Sequence, residues 1–317
     1  MNSSKSRIDG LMDSLKGHDF LSSANLDSSQ TKAILSLALD LKYNRVSFNL
    51  NNRVLGLIFT KASTRTRVSF SVAMTRLGGH TIDLNPNVTQ VGRGEPLNDT
   101  ARVLSRYCDA IAIRTFAQQD LIDYAHWSSV PVVNALTDLE HPCQALADFL
   151  TLQESFGDLS GLTLSYIGDG NNVANSLMLC GALLGVNINI ASPKGFEPND
   201  KIIAKARSLA CKGTTIKVVN DPALAVHGAQ ALYTDVWASM GQELEQSKRE
   251  KAFDGFCLNQ KLLNEADQDA IILHCLPAHR GEEISQEVME HKSSRIFDQT
   301  ENRLHAQQAL LAAIIGV

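Results

Sequence analysis

Along most of this chain, short apolar runs rich in β-branched residues alternate with longer helical patterns, and that alternation restricts the possible folds sharply. The runs that read as strands span residues 54–59, 110–113, 131–134, 163–167, 187–191, 215–219, 230–233 and 271–274. Helix-length segments such as 67–77 and 175–184 lie between several of them. A strand, a crossover helix and a second strand form a parallel pair, and strands covered on both faces become nearly continuous apolar runs. The expected class is therefore α/β, with two domains that each hold a mostly parallel β-sheet flanked by helices. The length of 317 residues agrees with two domains, at roughly 150 residues each. Residues 144–156 read as one helix ending near Gly157, a bridge between the two halves. The expected division is a polar N-terminal extension over residues 1–17, a first domain over 18–150 and a second over 151–317. A C-terminal helix from about 300 to 317 is expected to pack back on the first domain.

Composition narrows the function classes. A net charge of −5 gives no basic footprint for nucleic acid. The apolar stretch 309–317 is too short to span a membrane. The six cysteines, Cys108, Cys143, Cys180, Cys211, Cys257 and Cys275, form no CxxC pair and no disulfide framework. Reduced thiols are expected, and with them a cytoplasmic location. The first residues lack the apolar core of a signal peptide, and Asp9 and Asp13 do not suit an acid-poor transit sequence. Residues 242–251 are charged and almost without apolar residues, which suits a solvated face or a mobile lid.

The sharpest local signal is Ser63-Thr64-Arg65-Thr66-Arg67, directly after the strand 54–59 and opening a helix. A strand-to-helix turn presents free N–H groups and the positive end of a helix dipole. Three hydroxyls and two arginines add donors, which makes a phosphate cradle without the glycines of a Walker loop. Serine and threonine also cap ordinary helices, so no one residue carries this reading alone. Arg114-Thr115 and His141-Pro142-Cys143-Gln144 follow two further strands, and ligands in open α/β sheets bind at the carboxyl ends of strands.

These residues resemble a known family. Residues 59–67 resemble the carbamoyl-phosphate motif of the aspartate and ornithine carbamoyltransferases, and Arg114-Thr115-Phe116 and His141 to Gln144 resemble two further motifs of that family. Residues 235–241, beginning Asp235-Val236-Trp237, and His274-Cys275-Leu276-Pro277 resemble the ornithine-type versions. Gly168 to Asn172 and Glu301-Asn302-Arg303 also fit, so seven motifs stand in the family's order from about residue 18 onward. Thr60 and Ser71 depart from the pattern, standing where glutamate is common; both flank the anion turn.

The resemblance implies transfer of a carbamoyl group from carbamoyl phosphate to the side-chain amine of L-ornithine, giving citrulline and phosphate, a step of arginine biosynthesis. The first domain would bind carbamoyl phosphate and the second ornithine. Ser63, Thr64, Arg65 and Thr66 would hold the phosphate, with Arg303 closing that side. Arg114 and His141 would polarise the carbonyl. Gln144 and the main chain at Cys275-Leu276 would bind the amide. Asn172, Asp235, Ser239 and Met240 would bind ornithine, Asp235 pairing with its α-ammonium and Asn172 with its carboxylate, and Cys275 would lie beside the attacking amine. Gln90 would reach a neighbouring subunit's site in a homotrimer. No cofactor and no metal are implied.

Three other readings are weighed against this one. Gly168-Asp169-Gly170-Asn171-Asn172-Val173 after a strand resembles a dinucleotide fingerprint, but Val173 stands at the third glycine position. His274, Cys275 and His279 match no zinc spacing. A non-catalytic binding protein of this family would be expected to lose Arg65, Arg114, His141, Asp235 or Cys275, and all five are present.

Overall fold

A computed structural model of the chain describes residues 10–61, 63–85, 95–238 and 246–316. They fall into two compact units, Met1–Leu150 with Arg303–Val317, and Thr151–Asn302. The first unit holds strands β1 (Val54–Phe59), β2 (His80–Leu84), β3 (Ala110–Arg114) and β4 (Val132–Leu136) in the order β2-β1-β3-β4. All neighbouring pairs are parallel. The second unit holds β5 (Thr163–Ile167), β6 (Asn187–Ala191), β7 (Ile216–Val219), β8 (Ala231–Thr234) and β9 (Ile271–His274) in the order β7-β6-β5-β8-β9, again all parallel. This is the two-domain α/β class expected from the alternating pattern.

Eight of the nine strands coincide with the apolar runs to within two residues. β2 was not among them. Its residues His80-Thr81-Ile82-Asp83-Leu84 are exposed or half-buried, because among the described residues it forms the edge of its sheet and pairs only with β1. An edge strand has one wet side and carries no continuous apolar run. β3 extends one residue further than expected, so Arg114 ends the strand.

Five helices matter for the site: α1 (Thr64–Arg76), α2 (Pro142–Phe156), α3 (Asn172–Leu184), α4 (Gln246–Ala252) and α5 (Ile296–Ile315). α1 and α3 each begin three residues before the expected segment, which brings Thr64 and Asn172 into their first turns. α2 opens with Pro142, whose missing N–H and fixed φ suit a first helical position. It ends before Gly157, which takes φ +78°. The helix α3 is buried from Val173 to Leu184, and its run of apolar residues on every face accounts for this.

α5 begins in the second unit and ends in the first. Its last turns, Ala309 to Ile315, are buried in the first unit, and the Gly17 N–H donates to the Ile314 carbonyl at 2.8 Å. Part of the segment read as a polar extension is ordered there: residues 10–15 are helical, with Leu11 and Leu15 buried. Among the described residues no helix is long and apolar enough to cross a membrane.

Candidate active site

In the first sheet, the strand order reverses direction between β1 and β3, and such a switch point opens a crevice at the carboxyl ends. Both neighbours of that crevice deliver cations. After β1 the chain turns and re-enters as α1, with Ser63 as its N-cap; Ser63 Oγ accepts the Thr66 N–H at 3.3 Å. Arg114 ends β3 and reaches Ser63 Oγ with Nη1 in a long contact of 3.4 Å. Arg303 comes in from α5 and donates Nη2 to Thr66 Oγ1 at 2.6 Å, with both groups buried. Thr64 is exposed at the start of α1 and Arg65 is half-buried.

His141 immediately precedes α2, and its carbonyl accepts the N–H groups of Gln144 and Ala145. Its imidazole is buried. Burial, and then the charges of Arg303, Arg114 and Arg65, hold its pKa well below the ordinary histidine value. His141 is therefore a neutral imidazole at neutral pH. Lys61, in the same turn as the anion motif, stacks on Phe116 with Nζ 3.7 Å from the ring centroid. Burial, and then repulsion from Arg114, lower its pKa. Three arginines thus crowd one neutral imidazole, with Lys61 beside Arg114, an arrangement that costs energy until an anion neutralises it. Gln144, fully buried, donates Nε2 to Asp148 Oδ1 at 2.7 Å, while its Oε1 has no hydrogen-bond partner among the described residues.

The second sheet has its own switch point, between β5 and β8. After β5 comes Gly168-Asp169-Gly170-Asn171. Asn171 caps α3, its Oδ1 accepting from the N–H groups of Val173 and Ala174. Its Nδ2 donates to Asp235 Oδ2 at 2.9 Å. Asp235 follows β8 and is buried, and Cys275 after β9 donates Sγ–H to Asp235 Oδ1 at 3.0 Å. Tyr166 lies behind this group, its hydroxyl 3.3 Å from Asn171 Oδ1. Burial, and then the charges of Asp235, Asp169 and Cys275, raise the phenol pKa well above its usual value. The phenol stays neutral, Asp235 faces a thiol, and the neighbouring buried carboxylate, Asp169, is paired with Arg249.

The backbone that carries Cys275 is held from behind. Leu276 takes φ +58°, a left-handed conformation that a leucine adopts only when its surroundings impose it. Its N–H donates to His274 Nδ1 at 2.9 Å, which leaves Nε2 as the ring's donor, 3.0 Å from the fully buried Glu283. Glu283 also accepts the His279 N–H at 2.6 Å.

The described part of the charged stretch 242–251 differs from a wholly solvated face. Arg249 on α4 is buried, with Nη1 2.9 Å from Asp169 Oδ2 and 2.8 Å from the Trp237 carbonyl, and it stacks on Phe196. A charge enters the interior when its partners do, and Asp169 lies 80 residues away in sequence.

Of the residues expected at the site, Ser63, Thr66, Arg65, Arg114, His141 and Arg303 gather in the first unit. Gln144 stands on the same helix end as His141. Asp235 and Cys275 touch in the second unit, with Leu276 next in chain. Asn172 is half-buried at the first position of α3, while its neighbour Asn171 makes the contact to Asp235. Gln90, Ser239 and Met240 lie outside the described residues. The departures at Thr60 and Ser71 leave Arg67 with another acid, since Arg67 pairs with Asp83 on β2 and stacks on Phe59. Lys61, Asn171, Tyr166 and Arg249 escaped the sequence reading. Only Lys61 carried a local signal, as a cation inside the anion turn.

Two alternatives meet physical objections. A Cβ at Gly170 would stand 2.1 Å from the Pro198 nitrogen. That glycine admits the loop at Glu197-Pro198, so the loop occupies the approach a dinucleotide pyrophosphate needs. Asp235, His274 and Cys275 offer ligand atoms within 4.8 Å of one another. Both ring nitrogens of His274 are already engaged, by the Leu276 N–H and by Glu283, which leaves that trio short of a ligand for a metal.

Two parallel-sheet units, one with an anion cradle and one with a buried carboxylate–thiol pair, define a group-transfer enzyme of the α/β class. Residues 18–154 match the aspartate/ornithine carbamoyltransferase carbamoyl-P binding domain, and residues 160–314 match the Asp/Orn binding domain of the same family. The chain belongs to the aspartate/ornithine carbamoyltransferase family. It is 70% identical over 302 residues to an ornithine carbamoyltransferase of Parasynechococcus marenigrum, covering 95% of each chain. Among solved structures it resembles the ornithine carbamoyltransferase of Gloeobacter violaceus at 52% identity and a TM-score of 0.88, covering 95% of this chain and 100% of that one. The ornithine carbamoyltransferase of Pyrococcus furiosus gives 46% identity and a TM-score of 0.91, covering 95% and 98%.

Proposed function

We propose that the chain is an ornithine carbamoyltransferase, which transfers the carbamoyl group of carbamoyl phosphate to the side-chain amine of L-ornithine. The observation that carries this reading is the buried Asp235–Cys275 pair beside Asn171, a carboxylate whose two oxygens are met by an amide and a thiol. An ammonium suits that site, whereas the second carboxylate of aspartate would meet a like charge.

In this reading the first unit takes the donor. Ser63, Thr64, Arg65 and Thr66 bind the phosphate with Arg303, and Lys61 adds charge. Arg114 and the neutral His141 act as hydrogen-bond donors to the carbonyl oxygen, stabilising the negative charge that develops there. Gln144 accepts from the carbamoyl amide, to which the main chain at Cys275-Leu276 also binds. The second unit takes ornithine through Asn172, Asp235, Ser239 and Met240. The amine must lose its proton before it attacks, because its ordinary pKa is near ~10. Asp235 and Cys275 are the groups beside it. The new C–N bond forms as the C–O bond to phosphate breaks, and phosphate leaves into the cationic cradle.

The same reading includes a homotrimer in which Gln90 serves a neighbour's site. Val68 and Val72, one turn apart on α1, and Ile82 on the edge strand β2 are exposed, which supports a subunit contact on that side. The free cysteines support the cytoplasm as its compartment. The deciding assay is carbamoyl transfer to L-ornithine, aspartate and putrescine at matched concentration. Ornithine should exceed both by at least about a hundredfold in kcat/KM. Comparable turnover of aspartate or putrescine would overturn the acceptor and leave the broader family activity.

A further inference from the structure

One buried carboxylate beside the cradle has no part in the chemistry above. Asp148 stands one turn after Gln144 on α2, and both side chains are 0% exposed. Gln144 Nε2 lies 2.7 Å from Asp148 Oδ1. Gln144 Nε2 donates to that carboxyl, which sets the nitrogen end of the amide against Asp148. The other end, Oε1, is left as a buried acceptor with no hydrogen-bond partner among the described residues. A glutamine without such a neighbour turns its amide freely and presents either a donor or an acceptor.

We propose that Asp148 is a positioning residue that locks Gln144 with its carbonyl oxygen toward the substrate, so that the first unit selects a phosphate donor carrying N–H groups on its carbonyl carbon. The proposal rests on the reading of Gln144 as the contact to the donor's amide. Acetyl phosphate has nearly the same shape as carbamoyl phosphate, with a methyl in place of the amino group. Against that methyl, Gln144 Oε1 would stay buried and unsatisfied, which is the circumstance in which one missing donor discriminates strongly.

The test is calorimetric titration of the full chain with carbamoyl phosphate, acetyl phosphate and inorganic phosphate. The unaltered protein should prefer carbamoyl over acetyl phosphate by at least about tenfold. Asp148→Asn keeps the shape but lets the facing amides pair either way round. The preference should fall to about threefold or less while inorganic phosphate binds as before. No preference in the unaltered protein would overturn the Gln144 contact itself. A preference kept in Asp148→Asn, or equal weakening of all three ligands, would overturn the role of Asp148. Should Asp148→Asn fail to fold, the Gln144 side-chain amide of the unaltered protein gives the answer by magnetic resonance, assigned with Gln144→Met. Its protons should exchange slowly with solvent, both free and with phosphate bound. Exchange as fast as that of an exposed glutamine would sink the proposal.

Discussion

At the carboxyl edge of its four-stranded sheet the first unit collects Arg65, Arg114 and Arg303 about a neutral His141, with Lys61 beside Arg114. At the same edge of its five-stranded sheet the second unit collects Asp235, Cys275 and Asn171. The scaffolds are alike, each a parallel sheet with a switch point flanked by strand ends. The chemistry differs because the residues following those strands differ. In the first unit burial, and then repulsion from neighbouring cations, lower the basicity of Lys61 and His141, and an incoming dianion relieves that repulsion. In the second, an amide and a thiol hold both oxygens of one carboxylate, which leaves negative charge for an amine. A fold of this class thus sets where a ligand sits, and the turn residues set its sign.

The largest effect expected of breaking that contrast falls on the second unit. Asp235→Asn removes its central charge, and losing one member of a buried charged pair costs about 3–5 kcal/mol. Ornithine kcat/KM should drop at least about a hundredfold, while carbamoyl phosphate binding, read by calorimetry, stays within about twofold. Weakened carbamoyl phosphate binding of the same size would mean that the two chemistries are not separable. The mirror experiment is Arg65→Ala in the first unit. Loss of a charge-assisted contact costs about 1.5–3 kcal/mol, so carbamoyl phosphate affinity should fall at least about tenfold. Unchanged affinity in a folded protein would remove Arg65 from the cradle.

The smallest effect concerns His141. Its folded pKa lies below the ordinary value, so between those two pH values the unfolded chain binds more protons than the folded one. Stability should therefore fall as pH drops through about 6.5, and continue to fall toward the folded pKa. His141→Gln should make the decline from pH 7 to pH 5 shallower by on the order of 1 kcal/mol, measured by denaturant unfolding. An equally steep decline would place the acid sensitivity elsewhere. Comparing the two slopes sharpens the picture of a cradle that keeps its imidazole neutral among arginines.

Much of this organisation is legible in the residues. The strands β1, β3 and β9 announce themselves because a strand covered on both faces carries a nearly continuous apolar run. The anion turn is legible because its donors are contiguous, from Ser63 to Arg67. β2 is not, since an edge strand of alternating polar residues lacks that signal. Nor is the role of Asn171 legible, since the sequence does not tell it from Asn172 until backbone geometry assigns it to the cap of α3 and, with that, to Asp235.

What the chain order alone supplies is local: the period of its hydrophobic runs, the donors that follow each strand, and the motifs they form. These depend on neighbours within one or two turns. The properties that make two sites out of those motifs depend on groups far apart in sequence. Arg303 meets Thr66 across 237 residues, and Arg249 meets Asp169 across 80. Cys275 meets Asp235 across 40, and Gly170 admits the loop at Pro198. Charge state, tautomer and amide orientation all follow from such meetings, because electrostatic energy depends on distance and burial in space and not on separation along the chain.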